Sequence, residues 1–462
     1  MAGAMRSVAL KGSAFAGAAA IGVAYYQRLP ASHGDHRETH AQGLATRFYR
    51  NFAMPIVIHI DPETAHNLAL SAGRAFQALR ILAEPSGTGS TPLDWLLRPV
   101  ASASPPTGPP LCQELFGGRL RFESPIGIAA GFDKNALLVP LYRVGALPGL
   151  GFSEVGSVSA QPAVGNARPR CWRIPEDEAV INFMGLNNEG AEAVADRLEG
   201  YAALGRASVP AAGAPPRAPV GVNIAKTHSP SIYGEAAVED FCTSFRTLAP
   251  HADFMVINVS CPNTAEGKTF EDPATLGNLL EALTKERAAV ERSRSTSSPP
   301  PPPVLVKLVA PPDTPAGRER LAELLHTVQA SELVEGLVLS NTLPDREVPL
   351  SGGGREAAAV IGKGGLSGRP IHARSVAAIR TAYQLTGGRL PIIGVGGVDS
   401  AEAAYEKIRA GASLVEVYTG LVYSGPGLLS DCHVGLRRLL ERDGFASLSE
   451  AVGVDARAVA AV

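Results

Sequence analysis

The chain has 462 residues, which is more than one ordinary domain needs and suits one large α/β barrel with an appended segment. Its 42 Lys and Arg residues nearly balance its 44 Asp and Glu residues, so no basic field points to a nucleic-acid partner. The five cysteines are scattered and no two have metal-ligand spacing, which predicts reduced thiols without a disulfide framework or a metal site.

The first element is an apolar stretch without charge, Gly12–Tyr26. Extended back to Ser7 it reaches the length of about 20 residues that crosses a bilayer. A cleaved secretory signal is the alternative, but unpaired cysteines disfavour an oxidising destination. We therefore predict a targeting segment with a single membrane anchor in residues 1–40. The His-rich tract at the end of this segment has the composition of a polar linker.

A small helical domain is predicted next, in residues 41–82. Asp61, Pro62 and Glu63 form a helix start signal, with Asp at the N-cap and Pro at the first helical position. An apolar stripe at helical spacing follows it: Ala65, Leu68, Ala69, Ala72, Phe76 and Leu79. The segment before the start signal is also unusually apolar. The pattern leaves open whether these helices pack on the main domain or dip into a membrane surface.

A linker rich in Pro, Ser and Gly covers residues 83–110, and eight short apolar runs then alternate with amphipathic stretches over residues 111–455. This alternation predicts a (β/α)8 TIM barrel, with an open doubly wound sheet as the alternative because spacing cannot show closure. The predicted strands are Ile126–Phe132, Phe152–Val158, Val220–Ala225, Phe254–Val259, Val304–Val309, Gly336–Ser340, Pro391–Val395 and Leu414–Tyr418.

Small residues, amides, hydroxyls and lysines follow nearly every predicted strand, where barrel enzymes carry their chemistry. Lys134 and Lys307 can each supply positive charge to an anion. Several asparagine amides suit a heterocycle whose rim alternates N–H and C=O groups. Glycines after the seventh strand and the Tyr418-Thr419 turn offer backbone N–H groups to a phosphate. Neither a G-x-G-x-x-G motif opening a helix nor a G-K-[ST] motif is present, which argues against a Rossmann site and a P-loop.

A thiol lies between two amides where the fourth strand ends, in Asn258-Val-Ser-Cys261-Pro-Asn263. Because a free thiol has a pKa of about 8.5, Cys261 can hold appreciable thiolate near neutral pH, especially close to Lys134. We therefore predict Cys261 as a proton acceptor. The alternative is a small buried hydrophobe, with a hydroxyl or water as the base.

Taken together, these motifs resemble dihydroorotate dehydrogenase, a flavin enzyme. The resemblance runs from about Phe48 to Gly453. It rests on Ile128–Lys134, Glu154–Ser157, Gly165–Arg170, Gly221–Asn223, Asn258–Thr264, Gly364–Gly368 and Pro391–Val398. The helical segment with Asp61-Pro-Glu-Thr-Ala-His66 resembles the membrane-associated, quinone-using class 2.

The resemblance implies oxidation of dihydroorotate to orotate through FMN, with ubiquinone as electron acceptor, in pyrimidine biosynthesis. It implies substrate contacts from Lys134, Asn182, Phe183, Met184, Gly185, Leu186, Asn258, Asn263, Asn341 and Thr342. It implies FMN contacts from Ala129, Ala130, Gly131, Ser157, Asn182, Asn223, Asn258, Lys307, Ser340, Gly368, Gly397, Tyr418 and Thr419. It implies a quinone tunnel lined by Met54, Leu68, Ala69, Phe132, Arg173 and Tyr418.

The resemblance also implies a place in the mitochondrial inner membrane, in contact with lipid through the N-terminal segment. The sequence leaves the oligomeric state open, and a monomer is expected. Class 2 enzymes generally place serine where this chain has Cys261, and Leu186 also resembles class 1. A soluble enzyme using fumarate or NAD is therefore one alternative. A barrel that binds flavin or quinone without turnover is another.

Overall fold

Eight parallel strands form a closed barrel, which confirms the predicted fold class and excludes the open sheet. The computed structural model describes residues 43–83, 108–143, 146–206, 217–260, 270–293 and 300–460. The strands are β1 (Gln113–Leu115), β2 (Leu120–Phe122), β3 (Ile126–Ile128), β4 (Phe152–Val158), β5 (Cys171–Ile174), β6 (Ala179–Asn182), β7 (Val220–Ile224), β8 (Phe254–Asn258), β9 (Val304–Leu308), β10 (Val334–Leu339), β11 (Gly365–Gly368), β12 (Ile392–Val395) and β13 (Leu414–Val417). Around the barrel their order is β10-β12-β13-β3-β4-β7-β8-β9.

The barrel strands read as continuous apolar runs because parallel strands are buried on both faces. Every residue of β7, β8 and β9 is buried, including the polar Asn223, Asn258 and Lys307. The eight predicted strands are confirmed with small shifts of their ends. The largest difference is at β3, which ends at Ile128, four residues before the predicted end.

A hairpin of β1 and β2, not predicted from the sequence, closes the amino-terminal end of the barrel. Its Phe122 ring packs against Phe152 and Phe254, with ring centroids 5.6 Å and 6.5 Å away. Gly127 on β3 allows this packing, because a Cβ there would lie 2.4 Å from the Phe152 ring. The aromatic plug leaves the opposite end of the barrel for a site.

A three-stranded antiparallel sheet of order β11-β6-β5 was also not predicted. Each of its strands has only four residues, too few for a clear alternation. Asn182 on the central strand lies between Cys171 and Gly365. This sheet borders the carboxyl ends of the barrel strands.

Helices surround the barrel, and the predicted N-terminal helical region is present. They are α1 (Leu44–Phe48), α2 (Met54–Val57), α3 (Pro62–Ala83), α4 (Val139–Arg143), α5 (Ala191–Arg206), α6 (Glu235–Leu248), α7 (Pro273–Ser293), α8 (Pro315–Ala330), α9 (Gly352–Ile361), α10 (His372–Thr386), α11 (Ala401–Ala410), α12 (Thr419–Ser424), α13 (Gly427–Asp443), α14 (Leu448–Ala451) and α15 (Val454–Ala460). Within the described ranges, no helix combines the length and apolar character that crossing a membrane requires. The predicted anchor and nearly all of the predicted linker lie outside those ranges.

Candidate active site at the carboxyl ends of the barrel strands

A cavity of about 700 Å³ lies between α3 and the carboxyl ends of the barrel strands. Strand ends and the β5-β6-β11 sheet line its inner part, and α3 lines its outer part. Residues from across the sequence therefore meet around one space, as expected for a barrel active site.

Most of the predicted site residues in the described ranges line this cavity. From the predicted substrate set these are Lys134, Asn182, Met184, Leu186, Asn258, Asn341 and Thr342. From the predicted cofactor set they are Ala129, Ala130, Gly131, Ser157, Lys307, Ser340, Gly368, Gly397, Tyr418 and Thr419. From the predicted quinone set they are Ala69, Phe132, Arg173 and Tyr418.

Five other predicted residues do not line it. Phe183 and Gly185 lie between the lining residues Asn182, Met184 and Leu186, in a segment where the backbone turns at Gly185 and Leu186 with φ of +70° and +52°. Asn223 is fully buried, Met54 is half-buried, and Leu68 is 56% exposed. The predicted Cys261 and Asn263 lie in residues 261–269, outside the described ranges.

Amides and hydroxyls form a connected network at the ends of β4, β8 and β10. Asn258 Nδ2 donates to Ser157 Oγ at 3.1 Å, and Asn341 Nδ2 donates to Asn258 Oδ1 at 3.3 Å. Asn341 Nδ2 also lies 3.0 Å from the Ser260 carbonyl oxygen. These bonds hold the two amide planes in place, as a site for a flat polar ring requires.

Lys307 lies deeper, with its ammonium group buried against carboxylates. Its Nζ is 3.0 Å from Glu154 Oε1 and 3.9 Å from Glu416 Oε2. Asn223 Nδ2 also donates to Glu154 Oε1, at 2.7 Å. Burial opposes the charge on Lys307, but the attraction of Glu154 and Glu416 raises the pKa of Lys307 above its ordinary value. Lys307 is therefore a fixed cation at the floor of the cavity.

Lys134 is half-buried and lines the cavity. Burial is the largest cause that lowers the pKa of Lys134, to about 8, although the charge of Glu63 opposes the shift. With the described residues it forms no ion pair. A partly buried ammonium group without an ion pair is stabilised when an anion binds beside it.

Backbone turns after β11, β12 and β13 meet at another side of the cavity. Gly368, Gly396 and Gly397 all line it, as does Thr419 at the start of α12. Gly368 has a φ of +101°, and a Cβ there would lie 2.3 Å from the Glu178 carbonyl oxygen. Only glycine fits this turn, which keeps the backbone open to a ligand.

The outer part of the cavity is mainly apolar, with a few polar groups. His66 on α3 packs edge-on to Phe132 at 5.2 Å, and Phe132 packs edge-on to Tyr418 at 5.9 Å. Arg173 Nη1 donates to the Ile60 carbonyl at 2.7 Å, while its buried Nε has no partner among the described residues. A donor of this kind suits a ligand carbonyl.

His66, Cys171 and Glu416 are among the lining residues that sequence reasoning did not select. His66 could have been found, because it precedes Ala69, Gly73 and Phe76 at helical spacing. Cys171 carried no such signal because it lies on β5, which was not predicted. Glu416 carried none because it is a single charged residue within an apolar run.

Comparison with known proteins identifies the family. The dihydroorotate dehydrogenase family model matches residues 111–440. The chain belongs to the dihydroorotate dehydrogenase family. The Deinococcus deserti relative, dihydroorotate dehydrogenase (quinone), is 42% identical over 410 residues, covering 88% of this chain and 100% of the relative. The enzyme of the same name from Natronomonas pharaonis is 39% identical over 401 residues, covering 87% of this chain and 97% of the relative.

Solved structures of the family share the fold. The crystal structure of DHODH from Eimeria tenella in complex with ferulenol is 29% identical and has a TM-score of 0.68. The alignment covers 87% of this chain and 98% of that chain. The family resemblance inferred from the motifs is confirmed, including its quinone-using class.

The predicted mitochondrial location is wrong. The sequence relatives at 38–42% identity come from bacteria such as Deinococcus and Anaeromyxobacter and from the archaeon Natronomonas, and these organisms have no mitochondria. The prediction failed because an apolar N-terminal segment indicates a membrane signal without indicating which membrane.

Proposed function

We propose that this protein oxidises dihydroorotate to orotate through FMN, with a quinone as electron acceptor, in pyrimidine biosynthesis. Family membership and the names of the relatives support the reaction. The observation that carries the site assignment is a cavity whose polar floor of amides and lysines continues into an apolar cleft below α3. Two substrates of opposite polarity can reach one cofactor there.

The residues present fit FMN. Ser157, Asn258 and Lys307 present donors and acceptors at the strand ends, and they match a ring whose rim alternates N–H and C=O groups. The open turns at Gly368 and Gly397 leave backbone N–H groups for the phosphate. When bound, FMN supplies the two-electron carrier that side chains cannot provide.

For the substrate, we assign Lys134 to the carboxylate of dihydroorotate, because a bound anion would stabilise the charged form of Lys134. Asn182, Asn258 and Asn341 would orient the pyrimidine ring through their amides. We assign the base to Cys261, which would take the proton from C5 as a thiolate.

For the quinone, we assign the outer part of the cavity. Arg173 Nε would donate to a quinone carbonyl, and His66, Ala69, Phe132 and Tyr418 would form its walls. We accordingly propose residues 41–82 as the quinone-binding unit and residues 111–455 as the catalytic unit, joined by the linker 83–110.

We further propose that the N-terminal helices rest on a lipid surface. Large apolar side chains are more than half exposed on α1, on α3 and between them: Leu44, Phe52, Ile56, Leu68 and Leu79. Exposed apolar clusters of this kind mark an interaction surface, and a quinone dissolved in lipid would enter the cleft beside it.

Anaerobic titration of the purified holoenzyme tests the function. Dihydroorotate should bleach the flavin absorbance, and a short-chain quinone should restore it. Fumarate and NAD serve as controls and should not restore it at a comparable rate. A flavin band that persists with excess dihydroorotate would refute the proposed activity.

A further inference from the structure

Glu416 is a buried carboxyl group at the floor of the cavity. It is 0% exposed, it lines the cavity, and both of its carboxyl oxygens lack a hydrogen-bond donor among the described residues. In the barrel register it lies between Val395 of β12 and Gly127 of β3, neither of which carries a polar side chain. A carboxylate in this position would lack the hydrogen bonds that stabilise a buried charge.

Two charged residues face Glu416 from across the barrel, Glu154 on β4 and Lys307 on β9. Glu154 is 1% exposed, and its Oε2 is also without a donor. The single ammonium group of Lys307 is closer to Glu154 than to Glu416, at 3.0 Å against 3.9 Å. One cation thus faces two carboxyl groups, and three of their oxygens have no hydrogen-bond donor among the described residues.

A proton held between the two carboxyl groups accounts for these unpaired oxygens. Two neighbouring buried carboxyl groups do not both ionise readily. Burial, followed by the nearby charge of Glu154, raises the pKa of Glu416 well above its ordinary value.

We propose that Glu416 and Glu154 share one proton at neutral pH, which keeps their cluster with Lys307 electrically neutral at the floor of the cavity that would hold FMN. Glu416 is then a positioning residue that acts on the cofactor through Lys307. Bound FMN would take up one negative charge on reduction by a hydride, which carries two electrons and one proton, and the C5 proton would go to the base. A second ionised carboxylate in the floor would oppose that charge.

The inference rests on the proposed function only through bound FMN. Its test compares the holoenzyme with Glu416→Gln, Glu154→Gln and the double variant. Glu281→Gln on the exposed face of α7 serves as the matched control. Two quantities are measured: the reduced-to-oxidised ratio of FMN against a redox dye, and the infrared carbonyl band of protonated carboxylic acid. FMN content is measured first in each variant.

A shared proton makes the two single variants alike, because the remaining carboxyl group ionises and the net charge is unchanged. Each should lose the carboxylic-acid band and change the FMN ratio at neutral pH by less than about threefold. The double variant leaves Lys307 uncompensated and should raise the reduced-to-oxidised ratio of FMN by at least about tenfold, or about 30 mV for a two-electron couple. Glu281→Gln should leave both quantities at their wild-type values.

A rise of that size in Glu416→Gln alone would show that Glu416 is ionised in the wild type, and it would overturn the proposal. If the variants do not fold, titration of the wild type decides. The acid band should be present at neutral pH and disappear at alkaline pH, and its absence at neutral pH would also overturn the proposal. A holoenzyme that dihydroorotate does not reduce would refute the proposed function but would leave these measurements interpretable.

Discussion

Lys134 and Lys307 are chemically identical side chains that the barrel places in different surroundings. Lys307 is held 3.0 Å from Glu154, and its charge is fixed by that pair. Lys134 is half-buried at the cavity wall, and burial lowers its pKa to about 8. Lys307 therefore supplies a permanent charge, whereas the charge of Lys134 depends on pH and on its ligand.

Replacing Lys134 with Met should raise the KM for dihydroorotate by about 10- to 100-fold, the value of a charge-assisted hydrogen bond of about 1.5–3 kcal/mol. Because Lys134 binds an anion only when protonated, the wild-type kcat/KM should fall as the pH rises through about 8. Steady-state kinetics against pH measure both effects. Lys285→Met on exposed α7 is the control, and an unchanged alkaline limb in Lys134→Met would contradict the assignment.

Cys261→Ala should abolish flavin reduction by dihydroorotate and leave FMN bound, because the base is lost while the cofactor contacts remain. A loss of about 100-fold or more is typical of a missing general base. Cys261→Ser should shift the pH–rate profile to higher pH, since a hydroxyl ionises less readily than a thiol. Stopped-flow traces of the reductive half-reaction measure both variants. Near-normal rates in Cys261→Ala would exclude the role.

At the scale of elements, α3 divides the predicted apolar stripe between two faces. Ala65, Ala69, Ala72 and Phe76 line the cavity, whereas Leu68 and Leu79 are 56% and 54% exposed. The stripe spans more of the helix circumference than one contact can cover. The sequence left open whether this segment packs on the main domain or dips into a membrane surface. In the structure α3 packs on the barrel, and it also exposes leucines.

Two arginines of the barrel attach α3 at its first turn. Arg170 Nη2 and Nε reach the two carboxylate oxygens of Glu63 at 2.7 Å and 3.1 Å, and Arg168 adds a bond at 2.8 Å. Arg170 Nη1 also donates to the Val164 carbonyl at 2.7 Å. One buried guanidinium thus connects the proposed quinone-binding helix to the loop beside the proposed substrate site.

Glu63→Gln should weaken the attachment of α3 by about 3 kcal/mol, because the buried Arg170 loses its carboxylate. The hydrogen bond from Arg170 is the largest cause that lowers the pKa of Glu63 below 4.5. The stabilisation is therefore present above pH 4.5 and is lost as the pH falls through the lower folded value.

Hydrogen exchange measures this effect locally. In Glu63→Gln the amides of α3 should exchange faster, while those of the barrel strands keep their protection. Glu323→Gln, which removes an exposed ion pair with Arg320, is the control and should change neither. Unchanged exchange in α3 would show that the ion pair does not hold the helix.

At the scale of the whole molecule, one cavity joins the barrel mouth to the N-terminal helices, and the exposed apolar residues lie on those helices. If this face rests on lipid, Phe52→Ser combined with Ile56→Ser should lower partition into lipid vesicles by at least about tenfold, since each apolar side chain contributes about 1.5–3 kcal/mol when buried. Vesicle sedimentation measures the partition.

The matched control for vesicle binding is Val360→Ser on α9, a barrel helix whose valine is 83% exposed. It should leave partition unchanged, because it lies outside the N-terminal helices. An equal loss of vesicle binding in Val360→Ser and in the Phe52→Ser, Ile56→Ser double variant would indicate nonspecific adsorption. It would contradict the proposed lipid face.

Much of the fold was predictable because a parallel barrel needs buried strands at regular spacing, and such strands are continuous apolar runs. β7, β8 and β9 were found within one residue at each end. The short β5, β6 and β11 were not found, since four-residue strands carry little periodicity.

The amino-acid sequence by itself determined which polar residues end the strands, and hence which side chains reach the mouth of the barrel, because the chemistry of each strand end is local. Only the tertiary structure decided how these groups pair. Lys307, Glu154 and Glu416 are distant in the chain and meet only when the barrel closes. Closure buries one cation and two carboxyl groups close together, and the distances between them then determine their charges.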